Sequence, residues 1–478
     1  MPSRSWRAAI ASKRLVTLPS LLRRAPPASP TPVAQPPPTH PLVENLQEAS
    51  RRRDAAALEE GFAGVLEAPG LGSYELLVAG AALKEDGFPA HSERLLRHLL
   101  VREPDYAPGL YELGVTQRWT GQRHAACANF ARAVEYAPSE FRFRFAYAEM
   151  LHAVGLHERA EGEIAGLAPT TPEQRSRFEV LENYALYLRD HPQGQAHSII
   201  DEVKRTYSWV SAPDIAQRIE AAVSARRGFA LIRLGDGEGA FARVDDDDEA
   251  RHEVLYRWMR ENWVRFLFGP AFDPVGSGYE ALTQSMMRTV AEADVLGVPY
   301  PNWIHHEYAI ASTRGVPCVL NIHRSLLAHP PEVKPLLCDQ IVHLQLHGAG
   351  LLEPILRKAG RLTVISCLTG LGDLLKARMG LEEVEFMPVP REYTAPHLRG
   401  RDGDHVDGEA FPAVFDDMLR RLSQPHEGRV FVIAAGTLGK FYAATIKRHG
   451  GVALDLGSLV DGWMRLPSRA GYDDNLAL

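Results

Sequence analysis

The chain lacks the residues and segments that mark several protein classes. Its 478 residues include four cysteines, which lie far apart and form no C-x-x-C pair. This argues against a zinc ribbon or a disulfide scaffold and fits a reducing compartment. No apolar run approaches the ~20 residues needed to cross a bilayer. A basic surplus is also lacking, because 53 Lys and Arg stand against 60 Asp and Glu. We therefore expect a soluble, cytoplasmic protein of two or three domains that is not a nucleic-acid binder.

Residues 1–43 are rich in arginine and proline and contain no acidic side chain before Glu44. Such a segment buries too little apolar surface to offset its ordering entropy, so we predict that it is disordered. Two alternatives stay open, because each is also rich in arginine and poor in acids. They are an organelle transit peptide and a peripheral tether to the anionic inner surface of a membrane.

Residues 44–190 are predicted to form an α-helical solenoid, because three kinds of marker recur every 34 residues. These are turn glycines, helix-stopping prolines and small residues where paired helices approach. They are Gly87, Gly121 and Gly155; Pro104, Pro138 and Pro172; and Gly80, Gly114 and Ala148. The pattern resembles tetratricopeptide repeats (TPR), with three units over 71–172 and a capping helix over 173–189. The repeats could form a groove for a protein or glycan partner, or only pack on a neighbour.

Residues 191–478 are predicted to form an α/β domain with a doubly wound, mainly parallel sheet, because short apolar runs alternate with helical patterns. The predicted strands are Phe229–Leu234, Asp294–Val298, Gln340–Gln345, Leu362–Ser366, Val384–Val389, Val430–Ala434 and Val452–Leu456. Ligands bind such sheets at the carboxyl ends of the strands, so the loops that follow the strands are the candidate sites.

The first candidate loop reads R-L-G-D-G-E-G from Arg233 to Gly239. Gly235 and Gly237 allow a tight turn and are expected to leave the carboxylates of Asp236 and Glu238 uncovered. Both carboxylates could converge on Mg²⁺ or Mn²⁺, which prefer hard oxygen ligands. Arg233 could bind a phosphate or hold the carboxylates. A tight turn whose acids cap the next helix remains the alternative.

The second candidate loop contains Gly436, Thr437, Gly439 and Lys440 between a predicted strand and a helix. Backbone N–H groups at a helix N-terminus, with a nearby ammonium, can cradle a pyrophosphate. A strand-to-helix turn that uses glycine only for packing is an equal alternative. Asp455 lies at the end of the next predicted strand, where it could bind a ribose or sugar hydroxyl.

Together these motifs resemble the GT-D-type glycosyltransferases over roughly residues 212–464. The resemblance rests on the R-x-G-D-G-E loop and on the strand, glycine loop, helix and A-L-D-L-G ending. It implies transfer of a sugar from a nucleotide-diphosphate-sugar donor to a glycan, glycoprotein or lipid-linked acceptor, as in polysaccharide biosynthesis or protein glycosylation. It also implies that Asp236 and Glu238 are catalytic and hold a divalent cation. The remaining implied donor-binding residues are Arg233, Gly235, Gly237, Gly436, Thr437, Gly439, Lys440, Asp455 and Ser458.

Ser458 departs from a branch of the family that has histidine at this position. The metal dependence and the role of this position therefore stay open, with Asp461 as a neighbouring candidate. Two other functions also stay open: a scaffold with a degenerate transferase fold, and another nucleotide-dependent enzyme such as a phosphotransferase.

Other polar residues are expected to be structural. Asp245–Asp248 with Glu249 read as a solvated loop or helix start. His305–Glu307 could supply a base but are expected on the surface or in a structural role. His343 and His347 are placed on a strand, and Arg391 is a candidate cleft arginine.

Overall fold

The computed structural model describes residues 40–52, 54–68, 70–270, 272–310, 312–393, 404–466 and 476. The disorder predicted for residues 1–43 therefore concerns mainly residues outside this set. Its last part is wrong, because Pro41 already begins a helix whose Val43 side chain is buried. The described residues form two compact units. One contains those up to Ala185 together with Ala309 and Ile310, and the other contains Leu186–Tyr308 and those from Ser312 onward.

The first unit is helical. Its helices are α1 (Pro41–Arg52), α2 (Ala55–Glu67), α3 (Ser73–Glu85), α4 (Pro89–Arg102), α5 (Ala107–Trp119), α6 (Arg123–Tyr136), α7 (Phe141–Ala153), α8 (His157–Ala165) and the start of α9 (Pro172–Asp190). Helices α3, α5 and α7 begin 34 residues apart, and so do α4, α6 and α8. The predicted helical repeats and the helix that follows them are therefore confirmed.

The periodic glycines have two structural roles in these repeats. Gly87, Gly121 and Gly155 adopt φ values of 91°, 80° and 80°, which favour glycine at the turn between paired helices. Gly114 lies where α5 meets α6, and a Cβ placed on it would come within 2.7 Å of the Phe130 ring. The periodic glycines thus mark both the turns and the positions where paired helices pack closely.

The second unit is α/β. Its strands are β1 (Phe229–Arg233), β2 (Val295–Val298), β3 (Leu336–Asp339), β4 (Arg361–Ser366), β5 (Glu383–Pro388), β6 (Val430–Ala434) and β7 (Val452–Asp455). Its helices are α10 (Gln193–Thr206), α11 (Ala212–Ser224), α12 (Asp236–Gly239), α13 (Asp246–Arg251), α14 (Glu253–Phe268), α15 (Ser277–Glu292), α16 (Pro301–Ala309), α17 (Gly315–Ala328), α18 (Val342–Gly348), α19 (Leu352–Ala359), α20 (Leu371–Met379), α21 (Ala413–Leu422), α22 (Gly439–Arg448) and α23 (Leu459–Trp463).

The sheet has the order β3-β2-β1-β7-β6-β4-β5 over the described residues, and every strand pair is parallel. Its central strands β1 and β7 are buried along their whole length, as is typical of a parallel sheet with both faces covered, and they are apolar up to their last residues, Arg233 and Asp455. The core includes Ile215 and Ile219 of α11, which pack with Leu231 and Leu454 of the central strands. The predicted parallel α/β fold is confirmed.

One predicted strand is wrong. The sequence indicated a strand over Gln340–Gln345, but the strand is β3, four residues earlier, where Leu336–Asp339 pair with β2. The residues that follow form α18, so His343 and His347 lie one helical turn apart. Val342, His343 and Leu346 are the buried residues of this helix. Its short V-H-L-Q-L-H run satisfies both a strand and a helix pattern, which explains the error.

Candidate active site

Three strands that end side by side bring the two candidate loops together. β1, β7 and β6 are neighbours in the sheet and point in the same direction. The Arg233–Gly239 loop follows β1, the Gly436–Lys440 loop follows β6, and Asp455 is the last residue of β7. These residues therefore meet at the carboxyl edge of the sheet, where open α/β folds bind ligands.

Arg233 is buried and joins β1 to β7. Its backbone N–H donates to Asp455 Oδ2 at 3.1 Å, and its Nε donates to the Asp455 carbonyl at 2.8 Å. Its guanidinium also lies 3.3 Å from Asp455 Oδ1 and 2.9 Å from His343 Nδ1. With 5% of its surface exposed, Arg233 is engaged by the protein itself.

Lys440 completes a buried ion cluster, which we define as Arg233, Glu238, Lys440 and Asp455. Lys440 Nζ lies 2.7 Å from Asp455 Oδ2 and 3.5 Å from Glu238 Oε1. Burial alone would lower the pKa of Lys440, but these two carboxylates raise it above the ordinary value. Burial raises the pKa of Asp455, and the charges of Lys440 and Arg233 more than reverse this. Two cations therefore balance two carboxylates.

Glu238 fixes the turn that follows β1. Its Oε2 accepts the Gly235 N–H at 2.7 Å, and its Oε1 accepts the Thr437 hydroxyl at 3.1 Å. The side chain is 8% exposed. The expectation that both carboxylates of this loop are uncovered is therefore wrong for Glu238, because the protein supplies partners for both of its oxygens.

Asp236 takes the opposite position in the same turn. It is partly exposed at the first residue of α12, and its Oδ1 accepts the Gly237 N–H at 3.1 Å. Of the two acids in the motif, Asp236 is thus the one that can reach a ligand. The turn itself packs tightly, because a Cβ at Gly239 would collide with the Cys318 carbonyl.

The second loop is a short 3-10 turn, Gly436–Leu438, that leads into α22. Gly436 has a φ of 52°, and a Cβ on it would come within 2.5 Å of Glu392 Oε1. Thr437 is buried and faces Glu238. The loop therefore meets the first loop through its side chains, and a carboxylate that the sequence did not single out lies beside its glycine.

Side chains distant in sequence line the Asp236 turn, and the sequence analysis missed most of them. Trp263 and Trp303 lie against it, at 3.5 Å and 3.7 Å from the Cβ positions of Gly237 and Gly235. Trp303 Nε1 donates to Glu307 Oε1 at 2.8 Å. Burial, followed by the charge of Asp236, raises the pKa of Glu307 to about 7. No local motif marks these residues, because α14 and α16 bring them to the turn.

The remaining candidates have structural partners. Ser458 immediately precedes α23, and its carbonyl accepts the Asp461 N–H at 3.2 Å. Arg391 pairs with Asp407 at 2.7 Å. His305 contacts His197, with 2.7 Å between their Nε2 atoms.

The acidic run begins α13, as predicted, but its last aspartate is not solvated. Asp248 accepts hydrogen bonds from His191 Nε2 at 2.6 Å, Tyr256 Oη at 2.6 Å and Arg324 Nη1 at 2.7 Å. His191, Asp248 and His252 offer ligand atoms within 4.8 Å of one another. Because Arg324 already balances the Asp248 charge and the imidazoles bond to the carboxylates, we interpret this cluster as a structural hydrogen-bond network.

No helix in the described part of the chain is both long and apolar enough to cross a membrane.

No protein-family model matches the sequence, and no curated protein matches it. The solved structures with weak similarity to this chain include two mutant proteins. A mutant of MamA is 17% identical over 31% of this chain and 86% of its own, with a TM-score of 0.24. A mutant of the Thermobaculum terrenum O-GlcNAc transferase is 14% identical over 82% of this chain and 76% of its own, with a TM-score of 0.23.

Proposed function

We propose that the α/β unit is a glycosyltransferase of the GT-D type that uses a nucleotide-diphosphate-sugar donor. The observation that carries this proposal is the position of Asp236. It lies partly exposed at the carboxyl edge of a parallel sheet, in an R-x-G-D-G-E turn that the Gly436–Lys440 loop holds through Glu238. Donor binding beside Asp236 is where an open α/β sheet would place it.

A divalent cation fits this site through one acid of the motif. Glu238 has both carboxylate oxygens bonded to Gly235, Thr437 and Lys440, whereas Asp236 is partly exposed. Mg²⁺ is commonly bound by one or two carboxylates together with substrate phosphates. We propose that Asp236 holds Mg²⁺ or Mn²⁺ with the donor diphosphate. When bound, the ion would stabilise the charge that develops on the departing nucleoside diphosphate.

The protein groups have separate tasks in this proposal. Glu238, Lys440, Arg233 and Asp455 fix the two loops and act as positioning residues. Asp236 is the residue that contacts the cation and the donor diphosphate directly. Direct displacement at the anomeric carbon also requires a base for the acceptor hydroxyl, on the face opposite the departing diphosphate. The helical repeats would recruit a glycan, glycoprotein or lipid-linked acceptor, or a protein partner, in an extended groove.

The engagement of Glu238 also favours a second function. A turn whose glutamate is neutralised inside the protein suits a scaffold that keeps the transferase fold without its chemistry. In that case the repeats would carry the biological role, and Asp236→Asn would leave it intact. A phosphotransferase is the third candidate and would bind ATP rather than a nucleotide-sugar.

A thermal-shift panel tests these functions. UDP, GDP, CMP, dTDP and ATP are each added with and without Mn²⁺. A ligand at 100 times its Kd stabilises the folded state by about 2.7 kcal/mol, which is readily measured. We expect a Mn²⁺-dependent shift with one nucleoside diphosphate, and its loss in Asp236→Asn.

Asp201→Asn is the matched control, because Asp201 is an exposed aspartate on α10 of the same unit. It should keep the full shift. A shift with ATP alone would support the phosphotransferase. No shift with any nucleotide would contradict both enzymes and leave the scaffold.

A further inference from the structure

Arg233 and Lys440, the two cations predicted to bind the donor phosphates, already form ion pairs within the protein. Arg233 is bonded to Asp455, and Lys440 is bonded to Asp455 and Glu238. Both are buried within a cluster whose charges cancel. Neither Arg233 nor Lys440 is therefore available to neutralise a diphosphate that binds beside the Asp236 carboxylate.

Arg314 is a cation of a different kind beside the same turn. Its guanidinium carbon lies 4.3 Å from the centre of the Trp263 ring, and its side chain is partly exposed. Trp263 in turn packs against Gly237, with 3.5 Å from the ring to the Cβ position of that glycine. A single indole thus separates Arg314 from the residue that follows Asp236. Among the described residues, no carboxylate forms an ion pair with Arg314.

The electrostatics place Arg314 and Asp236 near the same groups. Burial is the main cause that raises the pKa of Glu307 and of Cys318. Asp236 raises both values further, and Arg314 lowers both. Two groups of opposite charge therefore act on one small region at the Asp236 turn, and both are partly exposed.

We propose that Arg314 binds the diphosphate of the nucleotide donor opposite Asp236, and this inference rests on the proposed function. The indole face fixes the guanidinium plane, and the N–H groups at the edge of that plane remain able to donate. A guanidinium presents paired donors that match two phosphate oxygens. Arg314 supplies positive charge for the diphosphate, because the charges of Arg233 and Lys440 are neutralised within the buried ion cluster. It recognises the phosphates rather than the base or the sugar.

The test measures the Kd of the nucleoside diphosphate selected by the thermal-shift panel, of inorganic pyrophosphate and of the matching nucleoside. Titration calorimetry is carried out on the full chain with Mn²⁺ present. We expect Arg314→Gln to weaken diphosphate and pyrophosphate binding by about 10- to 100-fold, the usual range for a hydrogen bond to a charged group. Nucleoside binding should not change. Arg314→Lys keeps the charge but not the planar pair of donors, so its loss should be smaller.

Arg177→Gln is the control, because Arg177 lies 4.5 Å over the Phe145 ring in the helical unit and is the same kind of stacked arginine. It should leave all three Kd values unchanged.

If the wild-type chain binds a nucleoside diphosphate and Arg314→Gln binds it equally well, this inference is wrong and the proposed function stands. If the wild-type chain binds no nucleoside diphosphate, the proposed function is contradicted and the inference falls with it. If Arg314→Gln fails to fold, the Arg314→Lys titration decides, and an unchanged pyrophosphate Kd there overturns the inference.

Discussion

At the scale of single residues, Lys440 is the member of the buried ion cluster that joins its two carboxylates. Its ammonium contacts the carboxylates of both Glu238 and Asp455, and 5% of its surface is exposed. Removing one partner of a buried ion pair leaves an uncompensated charge in the interior. The stability of the α/β unit should therefore respond strongly to this side chain.

We expect Lys440→Met to lower the free energy of unfolding by about 3–5 kcal/mol. Urea denaturation followed by tryptophan fluorescence measures this loss. Lys358→Met is the matched control, because Lys358 is exposed near the end of α19, and it should cost less than about 1 kcal/mol. Equal losses in the two variants would show that the cluster contributes no more than a surface lysine.

At the scale of secondary-structure elements, helix α17 carries a histidine that makes stability depend on pH. His323 is fully buried and bonds to the Pro299 carbonyl at 2.8 Å. Burial lowers its pKa to about 4, although this hydrogen bond opposes the shift. The unfolded chain, with a pKa of about 6.5, then binds a proton that the folded chain does not bind between these values. Stability therefore decreases as the pH falls through this window.

From pH 7 to pH 5, His323 should account for a loss of about 2 kcal/mol. Urea midpoints at pH 5, 6 and 7 measure the loss, and His323→Gln should reduce the pH dependence by that amount while it keeps a donor for Pro299. The same pH dependence in the variant and in the wild-type chain would assign the effect to other groups.

The helix pairs of the repeats allow a comparison of two glycines. Gly114→Ala should destabilise the helical unit by about 1–3 kcal/mol, because the new methyl group meets Phe130 at 2.7 Å. Gly162→Ala on α8 should be neutral or stabilising by up to about 1 kcal/mol, since nothing lies within 4 Å of its Cβ position. Far-UV circular dichroism in urea measures both changes. A smaller loss for Gly114→Ala than for Gly162→Ala would contradict the tight α5–α6 contact.

At the scale of the whole molecule, each unit has its own core. Residues of α1–α4 such as Phe62 and Leu76 form one cluster, and the sheet with its helices forms another. Units with separate cores can unfold in separate transitions. Scanning calorimetry should therefore show Gly114→Ala lowering one transition and Lys440→Met lowering the other. If both variants lower the same single transition, the two units unfold together.

The elements with a strong local pattern could be predicted from the sequence, and those that depend on distant partners could not. The repeats follow from a fixed period, and six of the seven strands follow from apolar runs. Asp248 read as part of a solvated run because His191 and Arg324, which bury it, lie far away in the chain. Glu238 read as uncovered because Thr437 and Lys440 come from a loop about 200 residues later. The two loops could be identified from local patterns, but the orientation of their side chains could not.

The hydrogen bonds and the ion pair of Glu238 have a consequence for the conformational entropy that ligand binding would require. Both of its oxygens are satisfied by Gly235, Thr437 and Lys440 in the folded chain, so the Asp236 turn has its final shape before a ligand arrives. A preorganised turn loses little conformational entropy on binding, and more of the contact energy becomes affinity. We expect the backbone of residues 233–239 to be the same with and without nucleotide, so that ligand discrimination arises from side chains already in place rather than from closure of this turn.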